Sequence, residues 1–410
     1  MRESTPSHFI GLDIGSSAVR CVVGMLDGTD NKLAIIGHGV APNIGMRKGA
    51  IVHVDEVVEA IVQAVTEAER VSGVQIQSAT VNINGTHVSG MNSRGVIAIS
   101  AANREITPED RLRVEEAATI VKLPPNREII QVFAKNYRLD GQDNIKDPLG
   151  MHGVRLEVDT HIVTASTPNM RSIDMALEKA RIRPTHYTVS SLAAAEAVLQ
   201  RQQKESGTAL LDIGAGTTNL VIIEDGEVQH VAVLPIGGIH ITNDLAIGLK
   251  TDLDIAEQVK IQHANLEKPK KGRLSVRANK REHYFDGEDV HMIVEARLEE
   301  LFEFVDKELK KVHRSQKLPG GVVLVGGTAK IPGIADLSKE KLQLASRVGT
   351  LQGLAGLADT VQDPVYASSV GLMMLDMLLM PGAGNDQQFA GQPNGSVFGF
   401  IDGIVKRFKK

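Results

Sequence analysis

At 410 residues the chain is too long for one compact core and suits two or more lobes with a cleft between them. Its 42% hydrophobic and 23% charged residues are those of a folded globular protein, and a net charge of −5 argues against a broad basic face for nucleic acid. A single cysteine, Cys21, rules out an intramolecular disulfide framework and a multi-cysteine zinc site and fits a reducing compartment.

The opening stretch MRESTPSHFIGLDIG lacks the continuous apolar segment of a secretory signal, and no window holds the roughly 18 apolar residues of a spanning helix. A cytoplasmic protein is expected, with Cys21 packed in a strand. HFIGLDIGSSAVRCVVG, around Asp13, reads strand, tight turn, strand. GTALLDIGAGTTNLVIIEDG, around Asp212, repeats that pattern 199 residues later. So long a period predicts a duplicated domain rather than a stacked solenoid.

The composition of these turns suits phosphate. Gly15, Gly214 and Gly216 carry no Cβ, so their backbone N–H groups can close on an anion. Ser16, Ser17, Thr217 and Thr218 add hydroxyl donors. Asp13 and Asp212, each where a strand ends, are placed to hold a hydrated Mg²⁺ that bridges phosphates. One such turn also closes an ordinary hairpin; the matching pair is what points to a clamp.

Further along, VEARLEELFEFVDKELKKV spaces Val294, Leu298, Leu301, Phe302, Val305 and Leu309 on one stripe of an amphipathic helix. The basic residues from Lys268 to Arg281 read as a solvated loop before it. GGVVLVGGTAKIPGI reads as a buried strand, Val322–Val325, that runs into Gly326, Gly327 and Thr328, where a flat base can lie on glycine backbone. The methionine-rich run GLMMLDMLLM at 371–380 reads as a buried helix. The histidines show no metal-ligand spacing, so no metal beyond Mg²⁺ is expected.

After residue 380 the composition changes to PGAGNDQQFAGQPNG, a flexible linker with almost nothing to bury. Its 14 residues from 382 to 395 span about 20 Å as a random coil. SVFGFIDGIVKRFKK then gathers Val397, Phe398, Phe400, Ile401, Ile404, Val405 and Phe408 within about 160° of a helical wheel. Asp402, Lys406 and Lys410 lie opposite, while Arg407 and Lys409 flank the apolar arc, where long basic stems reach phosphate head groups. The segment is expected to lie on a membrane surface, capped at Ser396.

In this order along the chain, the motifs resemble the actin, Hsp70 and sugar-kinase superfamily, with phosphate loops at 13–17 and 212–218 and an adenosine loop at 326–329. Within it the chain is most similar to the FtsA family. TVNINGTHVSGMNSRGVIAIS, REITPED and LPPNREIIQVFAKNYRLDGQDNIKDPLGMHGVRLEVDTHIV look like that family's inserted subdomain almost throughout.

The resemblance implies an α/β, actin-like two-lobed ATPase fold with an FtsA-type insertion and a C-terminal amphipathic helix. First-lobe core would take 8–84, 163–204 and 358–380; the insertion 85–162; second-lobe core 205–245 and 317–357; a small fourth subdomain 246–316; the linker 381–395; the membrane helix 396–410. Glu257 and Lys260 fall where actin-like proteins border ribose and base, and Arg20 where actin carries a phosphate-loop lysine. Ser190 or Ser191 stands where related bacterial actins place a water-activating glutamate, so at most a weak ATPase is implied. Ala215 and Asn219 depart from the GGGTTD of many relatives.

The implied function is an ATP- and Mg²⁺-dependent, self-polymerising protein that tethers FtsZ filaments to the cytoplasmic face of the inner membrane at the septum. It would receive the FtsZ C-terminal tail on the fourth subdomain, where Arg297 resembles a contact residue, and recruit later division proteins through the insertion. Two alternatives stay open. A small-molecule kinase of the superfamily would need a catalytic Asp between the lobes, for which the sequence offers no convincing candidate. A PilM-like pilus-assembly protein shares the insertion and lacks the terminal helix.

Overall fold

The computed structural model describes residues 8–26, 32–100, 103–267, 272–278 and 280–379. The linker at 381–395 and the amphipathic segment at 396–410 lie outside them.

The chain starts as a buried strand, β1 (His8–Ile14), and returns antiparallel as β2 (Ala18–Leu26), with Asp13 opposite Arg20. Next come β3 (Leu33–Pro42), a two-rung hairpin of β4 (Met46–Arg47) and β5 (Ala50–Ile51), then α1 (Val54–Ser72). Val57, Ala60, Ile61, Ala64, Val65 and Ala68 form the buried stripe of α1. It approaches β3 so closely that a Cβ on Gly39 would stand 2.0 Å from the Ala64 carbonyl oxygen. β6 (Ser78–Ile83) adds parallel to β1. Cys21 is fully buried in β2, where burial pushes its thiol up to about 12 and leaves it unreactive.

An inserted unit follows: β7 (Ser89–Ala98), α2 (Pro108–Ala118), β8 (Arg127–Leu139), β9 (Gln142–Ile145) and β10 (Arg155–Ser166). Its antiparallel sheet has the order β7-β10-β8-β9, and α2, capped by Thr107 with Asp110 bonding back, covers one face. The chain re-enters the first lobe through α3 (Thr167–Lys179) and β11 (Arg183–Val189), then crosses by α4 (Ser190–Val198) and α5 (Arg201–Ser206).

The second lobe opens with β12 (Thr208–Ile213), β13 (Thr218–Glu224) and β14 (Glu227–Leu234), then α6 (Gly238–Gly248) and α7 (Leu253–His263). A hairpin of β15 (Arg273–Ala278) and β16 (Arg281–Asp286) precedes α8 (Gly287–Lys311). β17 (Val322–Val325), α9 (Ile334–Leu342) and β18 (Ser346–Val348) complete the lobe; β19 (Leu354–Gly356) and α10 (Ala367–Leu378) return to the first.

The duplication read from the sequence is visible in the pairing. Among the described residues the two lobe sheets run β11-β6-β1-β2-β3-β19 and β14-β13-β12-β17-β18. In each, the Asp-bearing strand pairs antiparallel with its successor and parallel with a later strand, β6 or β17. α4 and α10 are buried on all sides between the lobes. α10 is stapled to the first sheet by Asp376, whose carboxylate accepts from the Ile10 amide at 3.0 Å and from the Thr80 and Thr185 hydroxyls at 2.7 Å each.

The six stripe residues of α8 are all buried, as their spacing predicts. The basic stretch before it differs from expectation. Arg273, Arg277 and Arg281 lie on the β15–β16 hairpin, because Val276 and Ala278 alternate inward between them, and the Arg273 guanidinium stacks 3.8 Å over Tyr284.

The inserted sheet docks on β14 through His161. Its Nε2 accepts the Val231 N–H at 3.1 Å, so its Nδ1 carries the proton and donates to Asn92 Oδ1 at 2.8 Å. Burial, then the neighbouring His230 ring, holds His161 down to about 3. A folded pKa below the unfolded value of about 6.5 means that the stability is complete above pH 6.5 and is lost as pH falls toward 3. Between pH 7.5 and 5.0 that loss is about 2 kcal/mol. Urea unfolding at pH 7.5 and 5.0 is therefore expected to show wild type losing about 2 kcal/mol more on acidification than His161→Gln. Equal losses in the two proteins would remove this account of the dock.

Candidate functional site

The two Asp-Gly turns face each other across a cleft of about 410 Å³ between the lobes. Both close in the same way: Gly15 N–H donates to the Ala18 carbonyl at 3.1 Å, and Gly214 N–H to the Thr217 carbonyl at 2.9 Å. Each bond tightens a turn between antiparallel strands. Asp13, Gly15, Ser16, Ser17 and Arg20 line one wall; Asp212, Gly214, Gly216 and Thr217 line the other.

Asp13 accepts from Asn82 Nδ2 at 2.7 Å, and Asp212 from the Ser368 hydroxyl at 3.0 Å. Burial raises the Asp13 carboxyl to about 7, against the lowering pull of Arg20, and Asp212 adds to the rise. Burial raises Asp212 as well, countered first by the Ser368 hydrogen bond. Two buried carboxylates that resist ionisation beside one another match the donor chemistry of a hard divalent cation, which would reverse both shifts. The residues fit Mg²⁺ and a polyphosphate.

The far end is built by α7 and the turn after β17. Lys260 Nζ donates to the Gly238 carbonyl at 3.1 Å, the Thr242 hydroxyl at 2.9 Å and Glu257 at 2.6 Å, so this pair straps α7 to α6 along the cleft wall. Gly327 and Thr328 line the same end, and the Thr328 hydroxyl reaches the Gly214 carbonyl at 3.3 Å. Ile261, Ala264, Ile331 and Pro332 supply apolar walls for a planar base.

Two of the residues singled out in the sequence border the cleft without lining it. Thr218 turns its hydroxyl to the Ile236 carbonyl at 2.8 Å. Gly326 sits behind Asp212, with φ +87°. Ser190 accepts from Asn82 Nδ2 at 3.0 Å, the same amide that bonds Asp13, while Ser191 is fully buried. Asn84 was not legible. It lies in the stretch read only as part of the inserted subdomain, yet it lines the cleft and accepts from the Thr217 hydroxyl at 3.0 Å. Ile261 and Ala264 were within reach of sequence reasoning, since both continue the helix that bears Lys260.

Arg297 lies on α8, away from the cleft. Its guanidinium forks onto Asp244 of α6, with Nη2 to Oδ1 at 2.9 Å, and also pairs with Glu300. Its charge is compensated twice over, and it joins α6 to α8.

Comparison with known proteins agrees with this geometry. Residues 85–164 match the SHS2 domain inserted in FtsA, and residues 209–371 match cell division protein FtsA. The chain is 35% identical over 376 residues to the cell division protein FtsA of Pseudomonas aeruginosa, an alignment covering 89% of this chain and 88% of that one. Among solved structures, a PilM-PilN type IV pilus biogenesis complex superposes with a TM-score of 0.64 at 18% identity, covering 91% of this chain and 99% of that one. MreB5 of Spiroplasma citri bound to ADP superposes with a TM-score of 0.52 at 13% identity, covering 90% and 95%. Likeness at these identities establishes the actin-like fold.

Proposed function

This chain belongs to the FtsA family of cell division proteins, and from that premise we propose that it binds ATP with Mg²⁺ in the inter-lobe cleft, polymerises, and tethers FtsZ filaments to the cytoplasmic membrane at the septum. The observation that carries the proposal is the convergence of both Asp-Gly turns, the Glu257–Lys260 strap and the Gly327-Thr328 turn on one cleft. An MreB relative of the same fold holds ADP, which supports a nucleotide here.

The backbone amides of both turns would grip the phosphates, and Asp13 and Asp212 would hold the metal through water. When bound, the ion supplies charge neutralisation between phosphate oxygens. Ser190 and Ser191 are poor water-orienters compared with a carboxylate or amide, so slow hydrolysis is expected. The cleft then works as a nucleotide switch more than as an enzyme.

The segment at 396–410 would supply the membrane contact. Individually weak helices suit a filament, where many act together. The FtsZ C-terminal tail would dock on the small fourth subdomain at 246–316, which carries α7 and α8. With Arg297 already paired to Asp244 and Glu300, an acidic tail would have to displace one of those carboxylates to use it. Later division proteins would dock on the inserted sheet.

The test is cosedimentation with anionic liposomes, comparing the full chain with a truncation ending at Asn394, each with and without ATP and Mg²⁺. The full chain is expected to pellet, more so with nucleotide, while the truncation stays in solution. If the full chain also stays in solution, the tether reading fails, and the pilus-assembly or kinase readings replace it.

A further inference from the structure

The β4–β5 hairpin, absent from the motifs above, packs its turn against both phosphate loops at one end of the cleft. Its turn residues, Lys48 and Gly49, both have positive φ, +51° and +74°. The Gly49 N–H donates to the Ser16 hydroxyl at 3.2 Å, which ties the turn to the first loop. A Cβ placed on Gly216 of the second loop would stand 3.1 Å from Ser16 Oγ, 3.3 Å from Lys48 N and 3.4 Å from Lys48 Cα. A Cβ on Gly49 would strike Gly85 Cα at 2.4 Å, so the Asn84-Gly85 turn closes the same junction. Loops from both lobes and the hairpin thus meet at one point, opposite the base end at Ile261 and Ile331.

The lysines that line the cleft are otherwise engaged. Lys260 is strapped to Glu257 and the Gly238 carbonyl at the base end. Arg20 faces the two carboxylates and lies 5.8 Å from the centre of the Tyr366 ring. Lys48 is exposed and has no ion pair or side-chain hydrogen bond among the described residues. Its four-carbon stem starts beside Gly216, within reach of any charge held at the loop junction.

We propose that Lys48 is a specificity-determining residue that contacts the terminal phosphate and makes the cleft prefer a nucleoside triphosphate to a diphosphate, a proposal that rests on the cleft binding a nucleotide. A diphosphate gripped by the two glycine turns leaves the junction without its outermost charge. A triphosphate extends into it, beside Lys48, whose ammonium carries no ion pair among the described residues.

The experiment is calorimetric titration of the full chain with Mg–AMP-PNP and with Mg–ADP, for wild type, Lys48→Asn and Lys48→Arg. Asn tolerates the positive φ at this position, so the turn is kept while the charge is removed. Lys48→Asn is expected to weaken AMP-PNP about tenfold or more and to change ADP by less than about twofold, with Lys48→Arg restoring most of the difference. An AMP-PNP to ADP ratio unchanged by Lys48→Asn overturns the proposal, whether both affinities fall together or neither moves. Wild type that binds neither nucleotide overturns the cleft assignment itself, an outcome distinct from an unchanged ratio.

Discussion

Gly326→Ala is expected to weaken Mg–ATP binding roughly a hundredfold, about 2.7 kcal/mol. Gly326 follows β17 with φ +87°, and a Cβ there would stand 2.6 Å from Asp212 Oδ1 and 2.6 Å from the Ile213 carbonyl oxygen. The carbonyl belongs to the sheet and cannot move, so the Asp212 carboxylate must swing out of the position it shares with Ser368. The backbone strain of a non-glycine residue at this φ costs about 1–3 kcal/mol of stability by itself. Gly353→Ala separates the two effects. Gly353 has φ +72° with nothing within 4 Å of the added Cβ, so it carries the strain without displacing a cleft carboxylate. Isothermal titration should show Gly353→Ala binding as wild type and Gly326→Ala scarcely binding; affinity within threefold of wild type for Gly326→Ala would show that Asp212 does not hold the metal.

The second large effect concerns the helices between the lobes. Gly371→Ala is expected to destabilise the protein by about 3 kcal/mol, although alanine is favoured over glycine inside a helix by about 1 kcal/mol. Packing decides the sign. A Cβ on Gly371 would stand 1.8 Å from the Ala193 carbonyl oxygen and 2.3 Å from its carbon, both backbone atoms of α4. No rotamer change relieves such a contact, so α4 and α10 must separate where they cross, and every side chain packed around them shifts. Thermal unfolding followed by circular dichroism should show a midpoint lower by several degrees. An equal or higher midpoint, as propensity alone predicts, would mean that the two helices are not in close contact in solution.

Much of the cleft could be read from residue order. Asp13 and Asp212 each close an apolar, β-branched run and precede glycine, so each marked a strand end and a turn open to phosphate. The α8 stripe and the methionine-rich helix were equally plain, because burial on one face or on all faces writes itself into spacing. The 273–281 stretch was harder. Two arginines masked a six-residue strand in which the inward residues, Val276 and Ala278, are small and few.

What the sequence determined by itself is the position and chemistry of the turns, since φ preferences, strand propensity and hydrophobic period act over a few neighbouring residues. Tertiary structure alone decided which distant atoms meet. Sheet register sets Asp13 beside Asn82, 69 positions away, and the packing of α10 sets Ser368 beside Asp212, 156 positions away. The fold also brings Lys48 to Gly216 and turns Arg297 onto Asp244, contacts that depend on how two sheets and their covering helices stack and that leave no periodic trace along the chain.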